Sequence, residues 1–137
     1  MASSQTPIKY KAEVNYNGEK LSTLEQNVLW EAGTERSFSG EYWDNTTAGT
    51  YACNACGQSL FSSSTKFKSG TGWPSFYTPI SPQAIRENED TLFGMIRIEV
   101  VCSQCSGHLG HVFDDGPQPT GLRYCLNSAS LDFHPLK

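Results

Sequence analysis

The chain has 137 residues, a formal net charge of −4 and 18% charged side chains. This length suits one domain with one hydrophobic core, and the acidic balance argues against a nucleic-acid surface, which is usually basic. No run of about 18 apolar residues occurs, so no membrane-spanning helix is predicted. Residues 1–7 lack the apolar segment of a signal peptide, which favours the cytoplasm, or an organelle if a transit peptide has been removed.

The first third of the chain predicts a polar arm, a helix and a loop. Residues 1–20 are polar and mixed, and we expect them to lie as an N-terminal arm on a single domain formed by residues 21–137. Ser22-Thr23-Leu24-Glu25 has the pattern of a capping box. Apolar residues at helical spacing follow, so a short helix is predicted that ends at Gly33. The charged and aromatic residues of 34–44 predict a loop that packs on the domain.

Beyond residue 44 the apolar pattern predicts strands separated by turns. Residues 50–53 and 92–101 each lead as a strand into a Cys-x-x-Cys turn, and residues 122–131 are predicted to form the last strand. Residues 79–90 are interpreted as a connection. Helical patterns are sparse and no strand–helix–strand rhythm occurs, so the sequence predicts a mainly β domain of antiparallel sheets with short N-terminal helical structure.

The five cysteines divide into two pairs and one remaining residue: Cys53-x-x-Cys56, Cys102-x-x-Cys105 and Cys125. An odd total argues against a disulfide scaffold. Four thiolates satisfy tetrahedral zinc in a closed, structural site, so one zinc ion is predicted to hold two distant hairpins together. A thioredoxin-type redox motif needs a βαβ setting that the sequence lacks. On spacing alone, His108 as a ligand in place of one cysteine and an iron–sulfur cluster both stay open.

Cys125 lies in an alternating run of residues. In a strand, one face of this run would carry Leu122, Tyr124 and Leu126, and the other would carry Arg123, Cys125 and Asn127. A cation beside a thiol favours the thiolate, which is the nucleophilic form. We therefore interpret Cys125 as a candidate reactive residue, against the alternative that it is a small buried hydrophobe.

Two histidines and one tryptophan extend this hypothesis. His108 and His111 lie three residues apart in a glycine-containing turn directly after the second cysteine pair, which favours a polar site over two unrelated surface residues. Trp73, between a glycine and a proline, is either a core residue or one wall of a small apolar pocket. The residues alone leave two function classes open, a thiol enzyme and a zinc-knuckle binding module with Cys125 in its core.

Five motifs together resemble methionine sulfoxide reductase B from about Leu21 to Phe133. They are Thr34-Glu35-Arg36, Gly40-Glu41-Tyr42-Trp43, Ser69-Gly70-x-Gly72-Trp73-Pro74-Ser75-Phe76, Gly107-His108-Leu109-Gly110-His111-Val112-Phe113 and Arg123-Tyr124-Cys125-x-Asn127-Ser128. The resemblance implies reduction of protein-bound, and more weakly of free, methionine-R-sulfoxide to methionine, as repair of oxidised proteins under oxidative stress. It also implies two antiparallel sheets with structural zinc on the four paired cysteines.

The resemblance also assigns roles to individual residues. Cys125 matches the catalytic cysteine, which becomes a sulfenic acid, and His111 and Asn127 match residues that bind and polarise the sulfoxide or its bound water. Trp73 matches the ring that receives the ε-methyl group. Further matches bind substrate or charge the site: His108, Phe113 and Arg123. We expect Arg123 and the histidines to raise the thiolate fraction of Cys125.

One position departs from that family. Many members carry a resolving cysteine where this chain has Thr71, and with four cysteines on zinc no thiol is left to resolve Cys125. The resemblance then implies a one-cysteine enzyme whose sulfenic acid is reduced by an external thiol, either thioredoxin or glutathione with glutaredoxin. We expect a monomer that binds oxidised proteins and neither nucleic acid nor membranes.

Overall fold

Two antiparallel sheets and one α-helix make up the described part of the chain, residues 12–91 and 94–136, in a computed structural model. The strands are β1 (Gly49–Cys53), β2 (Ser59–Ser62), β3 (Lys66–Phe67), β4 (Ser75–Phe76), β5 (Ile85–Asp90), β6 (Arg97–Cys102), β7 (His108–Phe113), β8 (Arg123–Leu126) and β9 (Leu131–Pro135). The smaller sheet has the order β2-β1-β9, and the larger has the order β3-β4-β8-β7-β6-β5. The predicted mainly β class is confirmed.

The helix α1 (Thr23–Glu31) begins at the predicted capping box. The Ser22 side chain accepts a hydrogen bond from the third helical amide at 3.0 Å, and the carboxylate of that third residue accepts one from the Ser22 amide at 2.7 Å. The helix ends at Ala32, which takes the left-handed conformation with φ 56°, and not at Gly33 as predicted. Among the described residues, no helix is long and apolar enough to cross a membrane.

The N-terminal arm is described only in part. Residues 1–11 of the predicted arm lie outside the described residues. Within residues 12–20 the chain doubles back through a turn that is closed by an isolated bridge between Val14 and Lys20. Tyr16 then fixes this turn to β9, because its hydroxyl donates to Asp132 Oδ2 at 2.5 Å.

Three regions fold differently from the prediction. Of the strand predicted over residues 92–101, only the part from residue 97 onward is strand, as β6, and residues 94–96 are not. Residues 85–90, interpreted as part of a connection, form β5, whose side chains are exposed from Arg86 to Glu89, so no apolar alternation marks the strand. Residues 122–131, predicted as one strand, contain β8 and only the first residue of β9, and these two strands lie in different sheets. The 3-10 turn Ser128–Ser130 separates these two strands and redirects the chain. Alternation of apolar and polar residues, with its period of two, cannot show such a change of sheet.

The core lies between the two sheets and is rich in aromatic rings. Tyr51 and Phe61 enter from the smaller sheet, and Phe76 and Tyr124 enter from the larger one. The Phe61 and Phe76 rings stack at 4.7 Å, and Tyr51 meets Phe76 edge-on at 5.1 Å. Because Tyr124 points into this core, its neighbour Cys125 lies on the outer face of the larger sheet.

Candidate active site and metal centre

Four cysteine sulfurs converge where the two sheets meet, and we call Cys53, Cys56, Cys102 and Cys105 the cysteine cluster. Cys53 ends β1 and Cys102 ends β6, so the two tight turns that follow bring one pair from each sheet. All four sulfur atoms lie within 4.8 Å of one another, with two edges of 3.6 Å. A zinc–sulfur bond of about 2.3 Å gives tetrahedron edges of about 3.8 Å. The cluster therefore has the donor set and the size to hold a metal ion.

Hydrogen-bond donors surround the cysteine cluster. The Gly107 amide donates to Cys105 Sγ at 3.4 Å, and the Gln58 side chain donates to Cys102 Sγ at 3.5 Å. Such donors favour the thiolate form that a metal requires. His108 does not join these ligands, because its Nδ1 lies 2.8 Å from Glu99 Oε2 instead. The alternative ligand set that the spacing left open is thus not formed.

Cys125 lies in the middle of β8, in register with Ser75 on β4 and His111 on β7. It is half-buried and opens onto a cavity of about 100 Å³. We call this cavity the thiol pocket, and its lining residues are Thr34, Trp73, Arg97, Gly110, His111, Phe113, Cys125, Leu126 and Asn127. The pocket brings together five of the seven residues that the sequence assigned to the reaction and the substrate. His108 and Arg123 lie outside its lining.

The two histidines are on a strand and not in the predicted turn, and a β-bulge sets their orientation. Val100 pairs with Gly110, whereas the next residue, Val101, pairs with His108, so β7 carries one extra residue. Side chains three apart on a regular strand point to opposite faces, and a bulge re-aims them. The His108 and His111 rings accordingly lie on the same side, with centroids 5.5 Å apart.

Gly110 lies where β7 approaches the backbone of Cys125. A Cβ at this position would come within 2.0 Å of the Cys125 carbonyl oxygen. Only glycine allows the two strands to come this close. The glycine between the two histidines therefore fixes His111 against the strand that carries the thiol.

A carboxylate holds each histidine. His111 Nε2 lies 2.9 Å from Asp90 Oδ2, and the same oxygen accepts from Arg97 at 3.1 Å. Burial lowers the pKa of His111, while the Asp90 contact opposes that shift. His108 Nδ1 contacts Glu99, and its buried Nε2 has no hydrogen-bond partner among the described residues. His108 therefore packs behind His111 and does not itself line the thiol pocket.

The peptide of Glu35 joins Trp73 to Asn127. The Glu35 amide donates to Asn127 Oδ1 at 2.9 Å, and the Glu35 carbonyl accepts from Trp73 Nε1 at 3.0 Å. The buried Glu35 carboxylate accepts from the Ser128 and Ala129 amides, both at 2.9 Å. Burial raises the pKa of Glu35, and these backbone donors oppose the shift. One buried acidic residue thus positions two walls of the pocket.

The electrostatics of Cys125 differ from the expectation. Burial raises the pKa of the Cys125 thiol, and the nearby Arg123 charge and the Thr71 hydroxyl only partly offset it. Arg123 donates to both carboxylate oxygens of Asp115, at 2.8 and 3.0 Å, and lies 4.5 Å over the Phe113 ring. The cation is thus shared with a carboxylate, and the free thiol is less ionised than the neighbouring arginine alone would suggest.

Sequence reasoning did not identify four charged residues that organise the site: Glu35, Asp90, Arg97 and Glu99. Arg97 and Glu99 did show a usable signal, because they alternate on one face of a predicted strand. Asp90 showed none, since its strand was interpreted as a connection. Glu35 stood in a motif of mixed charges that is equally typical of an exposed loop.

The chain is similar to one domain family and to several reductases. Residues 21–135 match the SelR domain. A protein of Thiobacillus denitrificans named peptide methionine sulfoxide reductase MsrB is 60% identical over 125 residues, which are 91% of this chain and 94% of that protein. Proteins of the same name from Methanosarcina barkeri and Agrobacterium fabrum are 63% and 47% identical, covering 83% and 99% of this chain and 81% and 100% of theirs.

Proposed function

Because the chain belongs to the methionine sulfoxide reductase B family, which it matches over residues 21–135, we propose that it reduces methionine-R-sulfoxide in oxidised proteins, and more weakly the free amino acid. The observation that carries this proposal is the position of Cys125. Its sulfur opens onto a small pocket that is lined by His111 and by the aromatic residues Trp73 and Phe113. A methyl sulfoxide group has matching parts, a polar oxygen and an apolar methyl.

Cys125 is the proposed nucleophile. Its thiolate takes the sulfoxide oxygen: with one proton, the thiolate and the sulfoxide become a Cys125 sulfenic acid and methionine. Two electrons pass from the cysteine sulfur to the methionine sulfur, and the S–O bond of the substrate is replaced by the S–O bond of the sulfenic acid. Because burial raises the pKa of Cys125, the thiolate fraction in the free protein is small, and a thiolate in this pocket is correspondingly basic and nucleophilic.

His111 and Asn127 are the proposed donors to the sulfoxide oxygen. A sulfoxide sulfur becomes electrophilic when its oxygen is protonated or accepts strong hydrogen bonds, so donors act where charge develops. His111 is in register with Cys125 across adjacent strands. Asn127 is fixed because its Oδ1 accepts from the Glu35 amide and its Nδ2 donates to the Leu109 carbonyl at 3.0 Å, which leaves its second N–H available.

The aromatic walls are proposed to select the R isomer. Trp73 is held by its indole N–H on the Glu35 carbonyl, and Phe113 is held by the Arg123 guanidinium above its ring. If the methyl group packs against Trp73 while the oxygen faces His111, only one configuration at sulfur directs the rest of the methionine side chain out of the pocket with the electrophilic sulfur facing Cys125. In this proposal His108 and Arg123 support the site from outside the pocket lining.

Regeneration is proposed to need an external thiol. Thr71 stands near Cys125, with Oγ1 4.0 Å from Sγ, and the other four cysteines form the cysteine cluster. A first thiol would condense with the sulfenic acid, giving a mixed disulfide and water. A second thiolate would then release Cys125 and leave the reductant oxidised. Thioredoxin and glutathione with glutaredoxin are the two candidate reductants.

We also propose that the metal is zinc. Four thiolates within one tetrahedron match the preference of zinc for closed structural sites, and the ion would hold the two sheets together at the turns after β1 and β6. A monomer in the cytoplasm, or in an organelle after removal of a leader, stays a prediction from the sequence.

The test of the proposed function is turnover by Cys125→Ser. We expect the activity of this variant on a peptide that contains methionine-R-sulfoxide to be lower by at least about a thousandfold, while its thermal unfolding stays unchanged. The S isomer of the same peptide is the matched control and should not be reduced by either protein. If Cys125→Ser kept its turnover, Cys125 would not be the nucleophile.

The recycling step needs a separate measurement. After reaction with substrate and no reductant, mass spectrometry should find one sulfenic acid, trapped by a 1,3-diketone, on the peptide that contains Cys125. An internal disulfide of Cys125 would show that the protein does not use the one-cysteine route. Turnover with thioredoxin, compared with glutathione plus glutaredoxin, then identifies the reductant.

A further inference from the structure

Three hydroxyl groups form a continuous chain that begins at the reactive thiol. Thr71 Oγ1 lies 4.0 Å from Cys125 Sγ, Ser69 Oγ lies 2.8 Å from Thr71 Oγ1, and Ser75 Oγ lies 2.7 Å from Ser69 Oγ. The chain ends where Ser75 donates to the Trp73 carbonyl at 3.1 Å. Ser75 is completely buried, and Ser69 and Thr71 are half-buried. We call these three residues the hydroxyl chain.

Each hydroxyl has one proton and two neighbours in this chain, so the hydrogen bonds can run in two directions. In one direction Ser75 donates to the Trp73 carbonyl, Ser69 donates to Ser75 and Thr71 donates to Ser69. Thr71 Oγ1 is then left as an acceptor and suits a Cys125 thiol, which donates its S–H. This is the direction that satisfies every group while Cys125 is neutral.

The opposite direction suits the charged form. Thr71 then donates to the sulfur, Ser69 donates to Thr71 and Ser75 donates to Ser69, while the Trp73 carbonyl gives up its bond from Ser75. A hydrogen bond to a charged acceptor is stronger than one to a neutral carbonyl, and it more than replaces the bond that is lost. The same fixed atoms can therefore serve either protonation state after three hydroxyl rotations, with no covalent bond changed.

We propose that Thr71 is a positioning residue for Cys125, and that the hydroxyl chain reverses direction as Cys125 loses its proton, so that the buried thiolate is always met by a donor. This inference deepens the proposed function and rests on its assignment of Cys125 as the nucleophile. It gives the residue at the position of the missing resolving cysteine a function of its own.

Other charged groups also act on Cys125 and must be separated from the hydroxyl chain. Arg123 on β8 and Asp115 in the turn between β7 and β8 shift the pKa of the thiol in opposite directions. His111 on β7 and Arg97 on β6 line the same pocket. A hydroxyl carries no formal charge, so removal of the Thr71 hydroxyl changes only the hydrogen bond and leaves these four charges in place.

The experiment is the pH dependence of Cys125 alkylation by iodoacetamide, read from the mass of the peptide that contains it, on the metal-loaded protein. Thr71→Val keeps the shape and removes the hydroxyl, and we expect its alkylation rate at pH 7 to fall about tenfold, with the midpoint moved to higher pH. Thr71→Ser restores the hydroxyl and should react like the unchanged protein. A rate for Thr71→Val within about twofold of the unchanged protein, or a slow Thr71→Ser, would overturn the proposal.

Ser75→Ala is expected not to slow alkylation of Cys125, in contrast to Thr71→Val, and this difference excludes a merely structural effect. Without Ser75 as an acceptor, Ser69 has only Thr71 to donate to, which fixes the chain in the direction that favours the thiolate. We expect Ser75→Ala to be alkylated as fast as the unchanged protein or faster. If Ser75→Ala slowed alkylation of Cys125 as much as Thr71→Val does, the inference would be wrong. Alkylation needs no turnover, so this result is independent of whether Cys125→Ser abolishes reduction of the sulfoxide.

Discussion

The molecule contains two sulfur sites that are opposite in construction. In the cysteine cluster, four sulfurs lie within 4.8 Å of one another at the junction of the two sheets. In the thiol pocket, one sulfur stands alone on the outer face of one sheet and opens onto a cavity. The first site turns its thiolates toward one another, which only a cation can stabilise, and the second turns its thiol toward a ligand.

The difference shows that the surroundings of a cysteine decide its chemistry. The Gly107 amide and the Gln58 side chain donate to sulfurs of the cluster, and each pair is fixed by a tight turn. At Cys125, burial raises the pKa, and the Thr71 hydroxyl and the Arg123 guanidinium only partly offset that shift. We therefore expect loss of a cluster sulfur to affect folding, and changes around Cys125 to affect reactivity with little effect on folding.

The largest expected effect is the loss of a cluster cysteine. Structural zinc contributes about 10–16 kcal/mol of apparent binding free energy, which equals or exceeds the whole stability of a typical domain. Cys102→Ser should therefore abolish the cooperative thermal unfolding transition, as measured by circular dichroism alongside metal content. Treatment of the unchanged protein with a strong chelator should do the same.

Cys125→Ser is the matched control for this prediction, because it makes the same chemical change in the other sulfur site. Its unfolding midpoint and metal content should equal those of the unchanged protein. If Cys102→Ser unfolded normally without metal, the two sites would not differ as proposed, and the two sheets would be held together by the aromatic core alone.

The next effect tests whether the pocket is held by hydrogen bonds. Glu35→Gln places an NH₂ group against one of the two backbone amides that the carboxylate now accepts from, which should cost about 2 kcal/mol of unfolding free energy. Burial raises the pKa of Glu35, so its contribution is full below the unfolded pKa and falls as pH rises through the folded pKa. Urea unfolding of both proteins should therefore show the larger difference at acidic pH.

A matched control for Glu35→Gln is Glu41→Gln, in the same loop but exposed. That variant should unfold like the unchanged protein at every pH. A difference between Glu35→Gln and the unchanged protein that grows as pH rises would contradict the direction of the pKa shift.

The sequence predicted each sulfur site to a different extent. The cluster ligands follow from the spacing of Cys-x-x-Cys pairs, because a tight turn fixes two sulfurs locally. Alternation placed Cys125 and Asn127 on one face, and the structure brings both to the pocket. The partners of these residues come from distant segments: Glu35 bonds to a side chain 92 residues away. Such pairings depend on how the sheets assemble, which local pattern does not encode.

A third prediction concerns the charge around His111. Asp90→Asn removes a carboxylate that raises the pKa of His111, so the lowering by burial and by the Arg97 charge is no longer opposed. Fewer molecules then carry a protonated His111 at neutral pH, and sulfoxide reduction should slow on the order of fivefold. The limb of the pH–rate profile that belongs to His111 should move to lower pH.

Glu87→Gln is the control for Asp90→Asn, because it makes the same charge change on β5 without contact to the thiol pocket. It should leave the pH–rate profile in place. A profile of Asp90→Asn that moved to higher pH would show that the carboxylate does not act on His111 by its charge.

The smallest expected effect comes from Asp115. Its carboxylate is mostly exposed, holds Arg123 by two hydrogen bonds and raises the pKa of Cys125 by its negative charge. Asp115→Asn should therefore lower that pKa, increase the thiolate fraction and speed alkylation of Cys125 at pH 7 by about twofold, because water screens an exposed charge. Higher ionic strength should shrink the difference.

Asp114→Asn separates this local effect from the overall change in charge, since Asp114 is equally exposed and adjacent in sequence. It should react like the unchanged protein. If Asp115→Asn instead slowed alkylation, the ion pair would be orienting Arg123 toward the thiol and not competing for its charge. Arg123 would then be part of the thiol pocket, as the sequence first suggested. The two sulfur sites would differ less, because Cys125 would also have a cation directed at it.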